Sequence, residues 1–471
     1  MSSNELRAAA NQAIALFLNL VQQPERSCRP AAVSADSLGL TFLETLGDEG
    51  IGALAVMREF ETVVLPHTAR INHPLYCGLV NSTPLPMAPL ADLLVSALNN
   101  NAGASHQSHA LLAAEREVIR SFGRLLFLSE DWTGMVLPGG SLTTLQALVM
   151  ARVNAFGDSL PQNARVYLGE NAHFSGARAC TVVGFTEAAI TRIESTGRGE
   201  MNVDTLIKRV TEDRRAGAEP CAVIATAGTT STGAIDDIAA IADFCRAENL
   251  WLHIDACYGG GAALLDPPPA AFHAFPSADS IAVDAHKWFF IPVVAGLLLH
   301  RHPKIAKRAF AQEASYVPTS TTLEPWQLGI PTSRRAAGFT IWFTIRAHGW
   351  HSIRDAVRNN VLLARLLEKY LAAAGFRVLE GGILSVACAR LEPPGSSLRD
   401  CDLLQERIAM RVIASRETWF STARHDGQTW LRFNFLNLHT TETHIRRLAD
   451  MVIEAGTEES QVSRMQECGT A

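Results

Sequence analysis

The central part of the chain alternates between two patterns of apolar residues. From about residue 133, short apolar runs rich in β-branched residues alternate with stretches in which apolar residues recur every three to four positions. The short runs predict strands and the longer stretches predict amphipathic helices. Strands are predicted at 164–168, 181–185, 221–226, 250–254, 280–283 and 294–299, and helices at 142–154, 175–180, 203–215 and 237–247. This alternation predicts an α/β fold with a mainly parallel sheet covered on both faces.

Helical patterns flank this region on both sides. Upstream helices are predicted at 4–23, 41–60, 88–100 and 108–127. Downstream, a long helix to about residue 372 with a break at Gly349 is followed by predicted strands at 376–379, 383–390 and 430–435 and helices at 401–414 and 442–455. We therefore predict an N-terminal helical segment (1–75), a large domain (76–345) and a C-terminal α+β domain (346–471). The first segment has apolar faces that need a partner, which a second copy of the chain could provide.

Length, charge and cysteine usage exclude several classes of protein. The 471 residues suit two or three domains rather than one simple core. A net charge of −6 leaves no basic footprint for nucleic acid or for an anionic membrane surface. The nine cysteines are scattered without zinc-site spacing and predict free thiols in a reducing compartment. Because the sequence shows neither a signal-peptide pattern nor an apolar run long enough for a bilayer, we predict a cytoplasmic protein.

Lys287 has an unusual position among the basic residues. It is one of only five lysines, and it alone lies between apolar segments, with Ser280–Val283 before it and Trp288–Phe290 after it. Burial disfavours the charged form of an amine, and a neutral lysine amine is the nucleophile of Schiff-base chemistry. The alternative is a lysine at a strand end whose amine reaches solvent. This segment alone does not decide between the two.

A glycine-rich turn precedes the first helix of the sheet region. The stretch Leu137–Ser141 stands directly before the helix predicted at 142–154. Glycines allow a ligand close to the backbone, and a helix N-terminus favours an anion. Gly140 and its neighbours can therefore bind a phosphate group. The alternative is an ordinary turn in which Ser141 caps the helix.

Further polar groups follow other predicted strands. Asp255 lies at the carboxyl end of the strand at 250–254, where open α/β sheets bind ligands. A carboxylate there can pair with a ring nitrogen and keep it protonated, which makes the ring an electron sink; alternatively it caps a turn. His173 also leaves a strand and can stack on a flat ring, although a lone histidine is more often structural. The small polar residues of Ala225–Gly233 suit contact with a ligand.

Together these features match what pyridoxal 5'-phosphate requires. An anion-binding turn, a histidine, a polar loop, an acid and a desolvated lysine follow one another, and each leaves a strand of one predicted sheet. The phosphate would lie at the helix, the ring nitrogen at Asp255 and the aldehyde at Lys287. The sequence therefore predicts an enzyme that uses this cofactor.

With these motifs, which extend from His73-Pro74 to Trp430-Leu431-Arg432, the chain resembles the pyridoxal-phosphate-dependent group II amino acid decarboxylases. That family includes the aromatic amino acid, glutamate and 2,4-diaminobutyrate decarboxylases. The resemblance implies a fold-type I, aspartate-aminotransferase-like subunit with a mainly parallel seven-stranded sheet, in a homodimer with shared active sites. It also implies decarboxylation of an L-amino acid to the amine and CO2 through a Schiff base on Lys287.

The resemblance further implies roles for individual residues. Lys287 matches the Schiff-base lysine, Asp255 the acid at the pyridine nitrogen and His173 the histidine stacked on the ring. The other residues implied to contact the cofactor are Gly140, Ser141, Thr226, His286, Ser82 and Cys257. The residues implied to bind substrate are Arg432, which matches the arginine that meets the substrate carboxylate, Asn81 and Asn101. No metal is implied.

The chain departs from the family pattern in two places near the site. Where the family often has Asn-Pro before the His-Lys pair, this chain has Asp284-Ala285. Family decarboxylases also carry a tyrosine in a mobile loop that returns a proton to the substrate carbon. Between residues 311 and 333 this chain has only Tyr316, whereas the tyrosine's place falls near Leu323.

The missing loop tyrosine keeps other hypotheses open. The nearest one is a decarboxylating oxidative deaminase that forms an aldehyde, or another carbon–carbon lyase of the same fold. A hypothesis from a different class is a non-catalytic homologue that binds a cofactor or a partner. The joint presence of Lys287, Asp255 and His173 opposes it.

The stretch Asn99–Gly103 indicates the class of substrate. The resemblance places it at the pocket of the partner subunit, where aromatic-specific relatives tend to have bulky apolar residues and glutamate-specific ones have asparagines. Buried amides left unpaired by an aromatic ring would cost about 1–3 kcal/mol each. A polar or acidic substrate side chain is therefore favoured. The alternative is that these asparagines only cap a helix.

Overall fold

The computed structural model describes residues 2–22, 48–312 and 323–469, with side chains to residue 462. The helices upstream of the sheet region are α1 (Ser3–Gln22), α2 (Ala53–Glu59), α3 (Met87–Leu98) and α4 (Ser105–Leu125). They confirm the helices predicted at 4–23, 88–100 and 108–127. Of the helix predicted at 41–60, residues 41–47 lie outside the described ranges, and α2 continues as a π-helical turn at Phe60–Val64.

A seven-stranded sheet lies at the centre of the protein. The strands up to residue 300 are β1 (Thr133–Leu137), β2 (Ala164–Gly169), β3 (Ile190–Ile193), β4 (Ser195–Thr196), β5 (Glu200–Met201), β6 (Glu219–Thr226), β7 (Trp251–Asp255), β8 (Ser280–Asp284) and β9 (Gly296–His300). β4 and β5 form a separate hairpin, and the others are ordered β1-β9-β8-β7-β6-β2-β3. β9 is antiparallel to both neighbours, while the other six strands run in one direction. The predicted mainly parallel seven-stranded sheet is confirmed.

The sheet is buried on both faces. Along β6, Val223 and Ala225 belong to one apolar core, whereas Ala222 and Ile224 belong to another on the opposite side. Alternate side chains of a strand point to opposite faces, so both faces need a cover. The helices of this region are α5 (Gly140–Phe156), α6 (Phe174–Val183), α7 (Val203–Arg215), α8 (Ile238–Glu248), α9 (Ala285–Trp288) and α10 (Pro303–Phe310).

The strand predicted at 181–185 is wrong, because its first three residues close α6. The β-branched run there suggested a strand, yet Cys180 and Val183 are buried on one side of the helix while Val182 is exposed on the other. Gly184 ends the helix with a φ of 108°, a left-handed conformation that glycine adopts without strain. The next strand of the sheet is β3, further along the chain.

The C-terminal part forms a second, antiparallel sheet. Its strands are β10 (Arg377–Val378), β11 (Val386–Arg390), β12 (Ser421–His425) and β13 (Gln428–Asn434), in the order β10-β11-β13-β12. The helices are α11 (Ala337–Ala373), α12 (Leu398–Ala414) and α13 (Glu442–Gly469). The predicted break in α11 is confirmed at Gly349, which has a φ of 74°. The C-terminal sheet domain is confirmed, and the boundaries at residues 75 and 345 stay predictions.

No helix within the described ranges combines the length and the apolar character needed to cross a bilayer.

Candidate active site

The candidate active site is a cavity of about 400 Å³ at the carboxyl ends of the parallel strands. Since six strands share one direction, the residues that follow them meet at a single edge of the sheet. The residues with a predicted role that line the cavity are Gly140, Ser141, His173, Thr226, Asp255, Cys257, His286 and Lys287. The remaining four, Ser82, Asn81, Asn101 and Arg432, lie outside its lining.

Lys287 projects from α9, the single helical turn that follows β8. Its Nζ lies 3.2 Å from Oδ2 of Asp284, and the side chain is 19% exposed. Burial alone lowers the pKa of Lys287, but the negative charges of Asp284 and Asp255 outweigh it, so the pKa is raised above the usual value. The prediction that desolvation leaves a neutral amine is therefore wrong. The carboxylates were the missing consideration.

The glycine turn leads from β1 into α5. Gly139 is the N-cap residue with a φ of 79°, and no side chain caps the helix. The alternative role of Ser141 as the cap is therefore wrong, since Ser141 lies in the first turn. Gly140 has no room for a side chain, because a Cβ there would lie 2.8 Å from Oδ2 of Asp284 and closer still to Sγ of Cys257. The first N–H groups of a helix have no intrahelical acceptor, so this turn can bind an anion.

Asp255 and Thr226 end neighbouring strands in register with each other. Oδ1 of Asp255 accepts a hydrogen bond from the Cys257 amide at 3.1 Å, which orients the carboxylate at the cavity. The hydroxyl of Thr226 is buried and has no hydrogen-bond partner among the described residues. Buried polar groups are seldom left unpaired, so the cavity is suited to a polar ligand at this point.

His173 is the N-cap residue of α6. Its Nδ1 accepts from the Ser175 amide at 3.3 Å and lies 2.7 Å from the Ser175 hydroxyl. The accepting Nδ1 leaves the ring proton on Nε2. Burial, followed by the positive charge of Lys287, lowers the pKa of His173. His173 is therefore a neutral flat ring at pH 7, as stacking on a cofactor ring requires.

Ser82 and His286 form hydrogen bonds that position the lysine turn, which is the short helix α9 that carries Lys287. The Ser82 hydroxyl donates to the carbonyl of His286 at 2.9 Å. Nδ1 of His286 lies 3.1 Å from the carbonyl oxygen of Ala295. The Ser82 hydroxyl is thus already bonded to the backbone, and its contact with the cofactor stays a prediction.

Arg432 and Asn101 are fixed by their own chain. Arg432 is buried on β13, where Nε donates to the carbonyl of the cavity residue Thr230 at 2.6 Å. Nη1 donates to the carbonyl of Gly78, and Nη2 is buried without an acceptor in the ranges that the structure covers. Oδ1 of Asn101 accepts from the amides of Gly103 at 2.7 Å and of Arg334 at 3.1 Å, which favours a structural role.

Two residues without a predicted role, Asp284 and Tyr258, are part of the site. Asp284 is the ion-pair partner of Lys287, and its signal was an acid at the end of an otherwise apolar strand. Tyr258 lines the cavity, stacks on Trp288 at 5.3 Å, and shares a 2.7 Å hydrogen bond with the Ser385 hydroxyl. Burial raises the pKa of Tyr258 to about 12, so it stays protonated.

Comparisons with known proteins agree with this geometry. The family described as pyridoxal-dependent decarboxylase conserved domain matches residues 45–388. The aromatic-L-amino-acid decarboxylase of Bacillus atrophaeus is 27% identical over 472 residues, which cover 98% of each chain. The L-2,4-diaminobutyrate decarboxylase of Rhizobium meliloti (strain 1021) is 29% identical over 88% of this chain and 84% of its own. The structure of Oryza sativa TDC with PLP and tryptamine shares the fold with a TM-score of 0.93 at 21% identity, over 97% of this chain and 99% of that one.

Proposed function

The chain belongs to the pyridoxal-dependent decarboxylase family, and we propose that it converts an L-amino acid with a polar or acidic side chain into the amine and CO2. The family match spans well over half of the chain, and the resemblance read from the motifs is confirmed. The protein is accordingly a carboxy-lyase that depends on pyridoxal 5'-phosphate. The observation that carries the proposed reaction is the meeting of Lys287, Asp255 and His173 in one cavity.

The groups around the cavity fit pyridoxal 5'-phosphate. Gly139 has a positive φ, and Gly140 has no space for a Cβ. Both properties suit a turn that fits closely around a phosphate. The hydroxyl of Thr226, which no described residue pairs, offers a polar contact beside Asp255. Lys287 would hold the aldehyde carbon of the cofactor. When bound, the cofactor supplies an electron sink for the charge left on the substrate carbon as its carboxylate departs.

Each protein group then has a separate task. Asp255 places a negative charge where the ring nitrogen must keep its proton. The neutral imidazole of His173 covers one face of the ring. The guanidinium of Arg432 is held by carbonyl groups on one side, which leaves Nη2 as a donor for the substrate carboxylate. These assignments make Arg432 responsible for orientation, and Lys287 and Asp255 responsible for the chemistry.

The experiment that tests this function is a panel of amino acids with separate detection of amine, CO2, aldehyde and peroxide. We expect amine and CO2 in equal amounts from a polar or acidic amino acid. Borohydride reduction of the yellow holoenzyme, followed by peptide mapping, should place the cofactor on Lys287. An adduct on Lys304, which lies on α10, or on no lysine, would contradict the assignment.

The preferred substrate class rests on the stretch Asn99–Gly103. The diaminobutyrate relative has a polar substrate and the Bacillus relative an aromatic one, by their names, so the family alone favours neither. The amide of Asn101 is engaged with Gly103 and Arg334 in its own chain. If Asn101 also faces the partner's pocket, Asn101→Ile should shift the ranking of kcat/KM toward apolar amino acids. A wild-type preference for aromatic amino acids would end the proposal of a polar substrate.

The second candidate is decarboxylation with oxidative deamination, which consumes dioxygen and water and releases the aldehyde, CO2, ammonia and peroxide. One specific observation favours it: residues 311–333 contain no tyrosine except Tyr316, which lies outside the described residues. Leu323, near the place where the family has its tyrosine, is exposed and cannot donate a proton. Peroxide and aldehyde in place of amine would identify this reaction in the same panel.

We also propose that the protein is a homodimer. Helices α1 and α3 leave apolar side chains exposed to solvent, namely Leu6, Ile14, Leu18, Leu93, Leu94 and Leu98. A second copy of the chain would cover such faces. Light scattering should therefore give twice the 51.0 kDa of one chain, and a value of one chain would contradict it. The cytoplasmic location stays a prediction from the sequence.

A further inference from the structure

Asp284 lies between the lysine turn and the phosphate turn, the latter being the turn at Gly139 and Gly140. Its side chain is 3% exposed, and the residue is the last one of β8. Oδ2 lies 3.2 Å from Nζ of Lys287 and 3.8 Å from Nε2 of His286. A Cβ on Gly140 would be 2.8 Å from the same oxygen. Oδ1 has no partner within the described part of the chain, so the ammonium of Lys287 is the nearest full positive charge that offsets this buried carboxylate.

Among the described residues, the titratable groups that face Lys287 come from three elements. Asp284 approaches from β8, Asp255 and Cys257 from the end of β7, and His173 from the start of α6. The carboxylates of Asp284 and Asp255 favour the ammonium form, whereas His173 is neutral. Within the part of the chain that the structure describes, two carboxylates therefore face one ammonium group at this point. The pocket therefore stabilises a proton on Nζ whenever this amine is not bonded to a ligand.

A decarboxylation needs such a proton. The bond between the α-carbon and the carboxylate breaks, CO2 leaves, and the electron pair on the carbon must take up one proton. The substrate arrives as an ammonium ion and its amine replaces that of Lys287 at the aldehyde carbon. The substrate's proton passes to Nζ of Lys287, which is released as an ammonium ion. After it gives up a proton, Nζ is a neutral amine that can displace the product, which takes one proton from water on release.

We propose that Asp284 is a positioning residue that holds a proton on Nζ of Lys287, and that Lys287 delivers this proton to the substrate carbon after CO2 has left. The proposal rests on the proposed function and deepens it. It gives the chain a proton donor that does not depend on a tyrosine in the loop at 311–333. It also gives a role to Asp284, which is an acid where the family often has asparagine.

The competing explanation is that Asp284 acts on the cofactor phosphate instead. Its carboxylate lies beside Gly140 and His286, so it could simply repel a phosphate dianion. The two explanations differ in their response to pyridoxal, which has the aldehyde and lacks the phosphate. An effect through Lys287 appears with both compounds, whereas an effect on phosphate appears only with pyridoxal 5'-phosphate.

The first experiment measures the state of Lys287 without any turnover. The full-length chain, freed of cofactor, is mixed with pyridoxal or with pyridoxal 5'-phosphate, and formation of the lysine adduct is followed in the visible region from about pH 6 to about pH 11. For Asp284→Asn the midpoint of the pH profile should fall by about 1–3 units, as removal of a nearby opposite charge predicts. Reaction at neutral pH should then be roughly 10- to 1000-fold faster.

Two controls accompany this measurement. Asp243→Asn removes a carboxylate on the exposed surface of α8 and should leave the profile unchanged. Asp284→Glu retains the charge and should restore the wild-type midpoint. An unchanged midpoint in Asp284→Asn, or a faster reaction with pyridoxal 5'-phosphate alone, would overturn the proposal. A wild-type midpoint below the ~10.4 of a free lysine would overturn it without any variant.

The second experiment follows the fate of the substrate carbon in the holoenzyme. In air-saturated buffer, where dissolved dioxygen is the oxidant, Asp284→Asn should divert turnover from amine to aldehyde, ammonia and peroxide by at least several-fold, because the proton returns more slowly. An unchanged product ratio would refute delivery of the proton by Lys287. The proposed function fails separately: it is refuted if the wild-type chain forms no adduct on Lys287 and releases no CO2 from any amino acid.

Discussion

A methyl group at residue 140 would test the phosphate turn most directly. Gly140→Ala adds one Cβ at a place where Oδ2 of Asp284 would be 2.8 Å away and Sγ of Cys257 nearer still. Carbon atoms in good van der Waals contact lie ~3.5–4.0 Å apart. Both neighbours are buried at the ends of central strands, so they have little freedom to move away. The turn itself must therefore shift.

The size of the effect follows from this overlap. Overpacking by one methyl group in a rigid site costs about 1–3 kcal/mol. If the turn relieves the overlap by moving, the cost appears as lost cofactor affinity, a factor of roughly 5–150 at ~1.4 kcal/mol per tenfold. Cys257→Ala in the Gly140→Ala background removes the nearer obstacle, Sγ. The double variant should therefore recover part of the affinity, while the contact with Asp284 keeps the rest of the loss.

The assay is a titration of cofactor-free protein with pyridoxal 5'-phosphate, read by absorbance and paired with urea unfolding. Gly50→Ala is the matched control, because a Cβ on Gly50 has nothing within 4 Å, and its affinity should equal that of the wild type. Wild-type affinity in Gly140→Ala would refute the turn as the phosphate site. So would a double variant that shows no recovery while the single variant is weakened.

Further predictions concern the ring acid, a buried ion pair and acid stability. Asp255→Asn should raise the barrier of turnover by roughly 3–5 kcal/mol, several powers of ten in kcat, and near wild-type turnover would give Asp255 another role. Glu115 and Arg334 form a buried pair at 2.7 Å, so Glu115→Gln should lower the free energy of unfolding in urea by about 3–5 kcal/mol, and a loss below about 1 kcal/mol would contradict this. Burial lowers the pKa of His253 and His300 to about 4, against ~6.5 when unfolded, so their contribution to stability is present above about pH 6.5 and is lost as the pH falls toward 4. Unfolding measurements should show about 2 kcal/mol lost per histidine at pH 5, and equal stability at pH 7 and pH 5 would contradict it.

The sequence alone was sufficient to predict the positions of functional groups that follow a well-marked strand. The runs before Thr226, Asp255 and Lys287 are continuous and apolar, as buried parallel strands are, and parallel strands end at one edge of the sheet. The positions of these three residues in one cavity could thus be predicted without any knowledge of distances. The charge state of Lys287 could not, since it depends on carboxylates whose side-chain positions only the fold defines.

The errors in secondary structure have local causes. β1 was missed because Gly134 interrupts its apolar pattern, although this glycine is required there: a Cβ would meet the backbone of Leu298 on β9. β12 was missed because exposed and half-buried residues alternate along it, as on an edge strand. The partners of Arg432 come from distant parts of the chain, such as Gly78 and Thr230, which no local pattern identifies.

The cavity can be completed only late in protein synthesis, because β9 must be made first. Among the described strands β1 pairs with β9 alone, and β9 also joins β8, so the phosphate turn and the lysine turn share a sheet only once residues 296–300 have been made. At ~5–20 residues per second, the roughly 160 residues that separate β1 from β9 take about 8–30 s to translate. During that interval β1 lacks its partner β9, and once β8 has been made one of its edges also stays open until β9 follows; open edges invite pairing with other chains. A ribosome-bound chain that ends before β9 is therefore expected to lack cofactor and to be a substrate for chaperones.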